Sequence, residues 1–358
     1  MQKLIYSLLK FKLTCTLYLF FKNISVIGRE HIPEKGPFIF AVNHQNSFLD
    51  ALVVNVTNAR NPIFLARGDV FKHKRVATLL NFINILPIYR ARDGVGKMRK
   101  NEEIFEKCAS ILSSGNPILI FPEANHQYEY RIRLITKGIS RIAFSSSKTT
   151  KNLVIIPVGI HYEDYKRTGY PIVIRYGKPI HISEFEKVYN QNHNEGYQHF
   201  ATYLGEKMRE LVVDIPSTNY SIILDLWKTH RVIQRDVNDQ LQTDQDLVDK
   251  ISNNIDSFPD GTKTDQTSRH FLYLPFFIIS CVVYFIPWAV TNLILQNIKD
   301  DQYVASIKVA VWFLLVPEII ILEAILIGLV FKSFLIGIGF LVLTLLTGWI
   351  TVKRYFPL

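Results

Sequence analysis

Cysteine is scarce in this 358-residue chain, which has only Cys15, Cys108 and Cys281, odd in number and far apart. That excludes a disulfide framework, leaves no C-x-x-C pair for a metal or redox centre, and suits a reducing compartment. Charge is thin too, at 20% of residues, against 48% hydrophobic and 13% aromatic. Such a composition excludes a disordered chain and carries more apolar matter than a soluble domain needs. There is no internal repeat, no HExxH or comparable metal-ligand spacing, and no Arg-rich helix or aromatic RNA-binding signature. The net charge of +10 therefore points to an anionic membrane surface rather than to nucleic acid.

Most of the apolar excess lies after Phe271. From there to Val352 the only charges are Lys299, Asp300, Asp301, Lys308, Glu318, Glu323 and Lys332, and runs at about 271–295, 306–331 and 334–352 approach or exceed membrane-spanning length. Pro275 and Pro287 in the first run and Pro317 in the second make each a bent span or a hairpin that never crosses. Three crossings would put Lys353-Arg354 opposite the basic front of the chain. Two crossings plus a re-entrant hairpin keep them on the same side, as the positive-inside tendency prefers. Glu318 and Glu323 line a polar seam, or Glu318 sits at a hairpin apex beside Pro317. At the other end, Leu4–Phe21 resembles a signal sequence, but Lys10 and Lys12 interrupt it and no small-residue cleavage site follows. It reads as a helix lying in the membrane interface, with a late-starting span as the alternative. Cys15 and Cys281, in apolar surroundings, read as packing residues.

Charge divides the chain. Residues 1–230 hold 31 basic and 19 acidic side chains, and residues 231–270 hold 5 and 8. Within the front, apolar runs of strand type at 37–42, 62–66, 84–89, 117–121, 154–160 and 171–176 alternate with helical stretches at about 49–58, 70–82, 97–113, 138–146, 194–213 and 219–250. This predicts an α/β fold, a central sheet flanked by helices. The organisation expected is an interface helix over 1–22, a catalytic domain over 23–235, a polar linker over 236–270 and membrane-anchoring helices over 271–358. The Lys97, Arg99, Lys100 cluster is a solvated helix face, or a contact with a membrane or carrier protein.

The most informative stretch is Asn43-His44-Gln45-Asn46-Ser47-Phe48-Leu49-Asp50. On one continuous helix, residues six apart point about 240° from each other, so His44 and Asp50 meet only if the His ends a strand and the Asp opens the next helix. Together they form either a structural pair or cap, or a general base whose tautomer the carboxylate holds. Three further stretches follow in order: Leu86-Pro87-Ile88-Tyr89-Arg90-Ala91-Arg92-Asp93, Ile120-Phe121-Pro122-Glu123-Ala124-Asn125-His126 and Val154-Ile155-Ile156-Pro157-Val158-Gly159.

In these four motifs the chain resembles the glycerol-phosphate and lysophospholipid acyltransferase superfamily, across residues 37–162. The resemblance implies the glycerolphosphate acyltransferase-like fold and direct transfer of a fatty acyl group from acyl-CoA or acyl carrier protein to glycerol 3-phosphate or 1-acylglycerol 3-phosphate. His44 would be the base and Asp50 its orienter, with no covalent acyl-enzyme and no cofactor. Arg90, Glu123 and His126 would bind the acceptor, and Lys137 is a further phosphate candidate. Taken singly, Arg90 is a surface arginine, Glu123 a helix cap or ion-pair partner, His126 a rim residue and Lys137 a solvated helix start. A metal site from His44, His126, His161 and Glu123 has suitable side chains but no ligand spacing, so none is expected. The chain departs from the family pattern in three places. Five residues rather than four separate His44 from Asp50, as in the branch resembling eukaryotic glycerol-3-phosphate and dihydroxyacetone-phosphate acyltransferases. Ala124 stands where a glycine is usual, and His126 where an arginine often sits. The expected setting is integral to a membrane, among its lipids, with the catalytic domain on the cytoplasmic face. The competing readings are an acyltransferase on another hydroxylated lipid, such as a lyso-aminolipid, and a non-catalytic lipid-binding membrane protein.

Overall fold

The computed structural model describes residues 2–83, 85–89, 100–234, 236–258, 271–298 and 300–355. It begins with helix α1 (Gln2–Phe20), which buries Leu13, Leu17 and Phe20 and leaves Leu4, Leu8, Phe11 and Tyr18 exposed. Strand β1 (Ile24–Ile27), strand β2 (Phe38–Val42), helix α2 (Phe48–Thr57), strand β3 (Ile63–Arg67), helix α3 (Lys74–Phe82) and strand β4 (Ile85–Ile88) follow. Then come helix α4 (Lys100–Ser113), strand β5 (Ile118–Ile120), helix α5 (Lys137–Ser147), strand β6 (Val154–Tyr162), strand β7 (Ile172–Tyr176) and strand β8 (Ile180–His181). Helices α6 (Glu186–Gln191), α7 (His193–Arg209), α8 (Tyr220–His230) and α9 (Val237–Asn253) complete the front.

The sheet runs β1-β7-β6-β2-β5-β3-β4, with β8 beside β6. Its pairs are parallel except β6 with β7 and β6 with β8. Successive side chains of a strand face opposite ways, which is why the central strands read as continuous apolar runs. Ile39 and Ala41 of β2 join a core with α4, α5 and α7. Phe38, Phe40 and Val42 join a second core with α1 and α2 on the other face. The sheet is thus covered on both sides, as an α/β fold requires.

Two strands escape the sequence pattern: β1 is four residues long beside an apolar helix, and β8 has only two. The single helix expected over 219–250 is two, and Val237–Asn253, within the stretch expected as a polar linker, is helical, while residues 259–270 lie outside the described residues. Leu241, Asp244, Val248 and Ile251 recur at helical spacing on α9, and the last three are buried against α8. Asp236 caps α9 by accepting from Asn238 N (2.7 Å), while buried Asp244 accepts from Trp227 Nε1 (3.1 Å) and Arg231 Nε (2.8 Å).

The tail folds as α10 (Leu274–Val283), α11 (Phe285–Leu295), α12 (Val304–Leu314), α13 (Val316–Val330) and α14 (Phe334–Ile350). Asp301–Val330, 30 residues, and Phe334–Arg354, 21 residues, are each long and apolar enough to cross a membrane, and α10 and α11 meet at a 69° bend that makes them a broken span or a re-entrant loop. Pro317 is not a hairpin apex. It lies in the first turn of α13, where its missing N–H breaks no helical bond, and the chain reverses at Lys332-Ser333 instead. Glu318 pairs with Lys12 of α1 at 2.5 Å. Cys108 is buried, but Cys15 and Cys281 are exposed on α1 and α10 rather than packed.

Where β2 turns away from β6, the Asn43 side chain takes over the ladder. Its Oδ1 accepts from Ile160 N (2.7 Å) and its Nδ2 donates to Ile160 O (2.9 Å), both fully buried. Asn43→Ala strips both partners from Ile160, and each buried orphan costs about 1–3 kcal/mol. Thermal unfolding in detergent should show Tm lowered by roughly 5–10 °C. An unchanged Tm would contradict this account of the residue.

Candidate active site

His44 sits two residues beyond the end of β2, and Asp50 lies in the first turn of α2. The turn between them brings His44 Nδ1 to 2.9 Å from Asp50 Oδ2. The same oxygen accepts from the backbone N–H groups of Gln45 (2.9 Å) and Asn46 (2.8 Å), and Oδ1 accepts from Tyr162 OH (2.7 Å). Asp50 is completely buried, so all of its interactions are with these protein donors. With Asp50 accepting at Nδ1, the lone pair of His44 lies on Nε2. One face of the imidazole stacks on Phe121 (centroids 4.0 Å apart), and its edge meets His126 (5.3 Å). The imidazole is held in position but not sealed: its side chain is 12% exposed.

Glu123 and Arg133 clamp the peptide groups of His44. Glu123 Oε2 accepts from His44 N (3.3 Å) and from Arg133 Nε (3.1 Å), while Arg133 Nη2 donates to His44 O (3.0 Å). The Glu123 carboxylate is therefore turned inward and shared between Arg133 and the backbone. Burial raises its pKa, and the Arg133 guanidinium opposes the rise. Ala124, in the family's glycine position, adopts φ 64°. This left-handed conformation is open to glycine without strain and disfavoured for alanine.

His126 stands at the rim, between His44 and Tyr303, whose ring centroid is 5.0 Å from its own. Burial, helped by neighbouring His44, pushes its pKa down to about 4. At that value it is a neutral imidazole near pH 7. Lys137 opens α5 beside the same loop, since Thr136 donates from N (2.9 Å) and Oγ1 (2.8 Å) to Pro122 O. Arg90 lies outside the described residues. Its neighbour Tyr89 is held by Asn101, which accepts from Tyr89 N (3.0 Å) and donates to Tyr89 O (2.7 Å). His161 belongs to another cluster, 5.4 Å from the Tyr130 ring and 6.4 Å from Trp227, where burial drives its pKa well below the usual value. Among the described residues, no three His, Cys, Asp or Glu side chains gather as a metal site.

Four contributors were not foreseen from the sequence. Tyr162 was accessible in principle, because counting in twos from Ile156 along β6 carries it to the face of Phe40 and Val42. Arg133 has no spacing that marks it. Tyr303 and Ser306 come from the tail, and only folding brings them here.

The low pKa of His126 fixes a direction in acid. As pH falls below about 6.5 the unfolded chain takes up the proton first, and the folded chain follows only near 4, so stability is lost across that window. His126→Gln should flatten the dependence of Tm on pH between 4 and 6.5. Equal slopes in the two proteins would show that His126 titrates normally.

Residues 23–161 match the family model described as Acyltransferase. A 1-acyl-sn-glycerol-3-phosphate acyltransferase of Chlamydomonas reinhardtii is 23% identical over 141 residues, 39% of this chain and 40% of the relative. The chain thus spans well under half the length of that curated relative. The crystal structure of the 1-acyl-sn-glycerophosphate (LPA) acyltransferase from Thermotoga maritima is 16% identical, covers 59% of this chain and 81% of that one, and superposes with a TM-score of 0.42. The His44–Asp50 pair is seated inside the segment, residues 23–161, that matches the Acyltransferase family model.

Proposed function

We propose that the protein is a membrane-bound O-acyltransferase that moves a fatty acyl group from acyl-CoA or acyl carrier protein to glycerol 3-phosphate or 1-acylglycerol 3-phosphate. The observation that carries this reading is the imidazole whose Nδ1 is taken by a buried carboxylate, leaving Nε2 basic, within an acyltransferase-family domain. Nε2 of His44 removes the proton from the acceptor hydroxyl as its oxygen attacks the thioester carbonyl, and Asp50 stabilises the imidazolium. The tetrahedral oxyanion collapses, the carbon–sulfur bond breaks, and the thiolate takes the proton back from His44. A thioester is already activated, so neither a Ser or Cys nucleophile nor a cofactor is needed.

Acceptor recognition is assigned to Arg90, with Lys137 beside the Pro122 loop as a second cation and His126 as a neutral wall of the site. A guanidinium matches a phosphate with two parallel hydrogen bonds. Glu123 serves the acceptor indirectly in this reading, by fixing the His44 peptide together with Arg133. Residues 271–358 anchor the domain, α1 lies along the interface, and the basic front faces the cytoplasmic leaflet.

His44→Ala should lower turnover by a factor on the order of 10²–10⁴ while the protein stays folded and membrane-bound. Labelled acyl-CoA, 1-oleoylglycerol 3-phosphate and glycerol 3-phosphate provide the assay, and near-normal transfer by the folded variant would sink the assignment. Arg90→Ala should raise the KM for the acceptor far more than for the donor, with Arg90→Lys a partial rescue. Equal use of an acceptor without phosphate would instead favour a lyso-aminolipid substrate.

A further inference from the structure

The turn that carries the base is strained and is braced from outside its own domain. Leu49 N donates to Asn46 O (3.1 Å), closing a four-residue turn. Ser47, at its first central position, has φ 51° and ψ −134°. That is the conformation of a II′-type turn, which glycine ordinarily fills and in which an L side chain is strained. The turn cannot relax freely, because Gln45 N, Asn46 N and the His44 ring are all bonded to Asp50.

Into this turn reaches Ser306, from the first turn of α12. Its Oγ donates to Asn46 O (2.8 Å) and accepts from Leu49 N (3.2 Å), and the residue is fully buried. One hydroxyl thus bridges both ends of the turn, in parallel with the turn's own hydrogen bond. The segment that delivers it is fastened on the same side of the site. Asp301 O accepts from Tyr128 OH (2.9 Å), Asp301 pairs with Lys166, and Lys308 Nζ donates to Lys166 O (2.9 Å). Ser306 is six residues into Asp301–Val330, one of the two helices able to cross a membrane.

We propose that Ser306 is a positioning residue for the general base, a hydroxyl on a membrane helix that holds the strained 46–49 turn and, through it, the His44–Asp50 pair. The inference rests on His44 being the base, and it makes the anchoring helix a structural part of the active site. It acts through the turn and not through substrate. Its loss should therefore appear in kcat and leave both KM values near the wild type.

The test is a double-mutant cycle in the full-length, detergent-solubilised protein, with palmitoyl-CoA and 1-oleoylglycerol 3-phosphate as probes. Ser306→Ala should lower kcat about 10- to 100-fold, the size expected when a catalytic group is held loosely. Glycine at position 47 removes the strain that the hydroxyl opposes. The loss caused by Ser306→Ala should therefore shrink to a few-fold when it is measured against Ser47→Gly as parent. Should Ser306→Ala alone fail to fold, recovery of a folded, active Ser47→Gly/Ser306→Ala protein supports the proposal, and failure of the double variant overturns it. Equal losses in both backgrounds, a loss confined to KM, or no loss also overturn it. A readout without turnover comes from ¹⁵N signals of labelled histidine. His44 should be protonated at Nδ1 in the parent and become a tautomer mixture in Ser306→Ala. If the parent transfers acyl groups to neither glycerol phosphate, the proposed activity fails, and this second readout alone decides the role of Ser306.

Discussion

The buried carboxylate of Asp50 is the constraint on which the site is built. An uncompensated charge in a protein interior is strongly destabilising, so a position like this survives only with donors on every side. Here the donors are two consecutive backbone N–H groups, an imidazole and a tyrosine hydroxyl. Satisfying one group thereby fixes four others. The N–H groups dictate the path of the turn after β2, the imidazole is fixed in tautomer and direction, and Tyr162 ties the arrangement to β6. The register that pairs Val42 with Val158 is what brings Tyr162, four residues further along β6, to this carboxylate.

A turn shaped by that demand is not one the backbone would choose. Ser47 on one side of His44 and Ala124 on the other both hold positive φ, and the structure around them over-determines each. Around Ala124 the fixing groups are Glu123 and Arg133, which meet the N–H and C=O of His44 and so couple the loop after β5 to the turn after β2. Around Ser47 the fixing group is Ser306. The strain lies on both flanks of the His44 imidazole, and on the proposed reading that is where rigidity matters most, because a base that wanders loses more rate than a loosened surface loop would.

Strands β2, β5 and β6 were legible in sequence because burial on both faces writes itself as an unbroken apolar run, with no need to know which strand pairs with which. His44 and Asp50 were legible as a strand-end histidine and a helix-start acid. Strand β1 was not, since four residues next to an apolar helix carry no period of their own. In the sequence, helix α9 reads as the end of one helix over 219–250 fraying into a linker, because its Asp-, Asn- and Gln-rich surface carries a stripe of only a few apolar residues and the break after His230 leaves no mark in the pattern. Arg133 and Ser306 mark the limit of such reading. Both are ordinary residues whose significance depends on distant segments meeting, and Ser306 lies 260 positions from the carbonyl it bonds.

The tail packs Ala305 and Val309 into the core under α1 and α2, and it is also tied to the front by lysines whose placement matters. Lys12 reaches Glu318, Lys308 reaches the carbonyl of Lys166, and Lys353 donates to Phe21 O (3.0 Å) just past the end of α1, where helix carbonyls lack partners and favour a cation. These polar ties join α1 and the catalytic domain to apolar helices at several separated points. A domain tied at one point would swing on the tail, whereas ties spread over three segments hold the two in one orientation. On the proposed reading that geometry suits the chemistry. An acyl chain stays dissolved in the bilayer while its thioester, the acceptor hydroxyl and the phosphate sit at headgroup level. A base held at constant depth meets all three without lifting the chain out of the membrane, a move that would expose apolar surface at about 0.8 kcal/mol for each methylene.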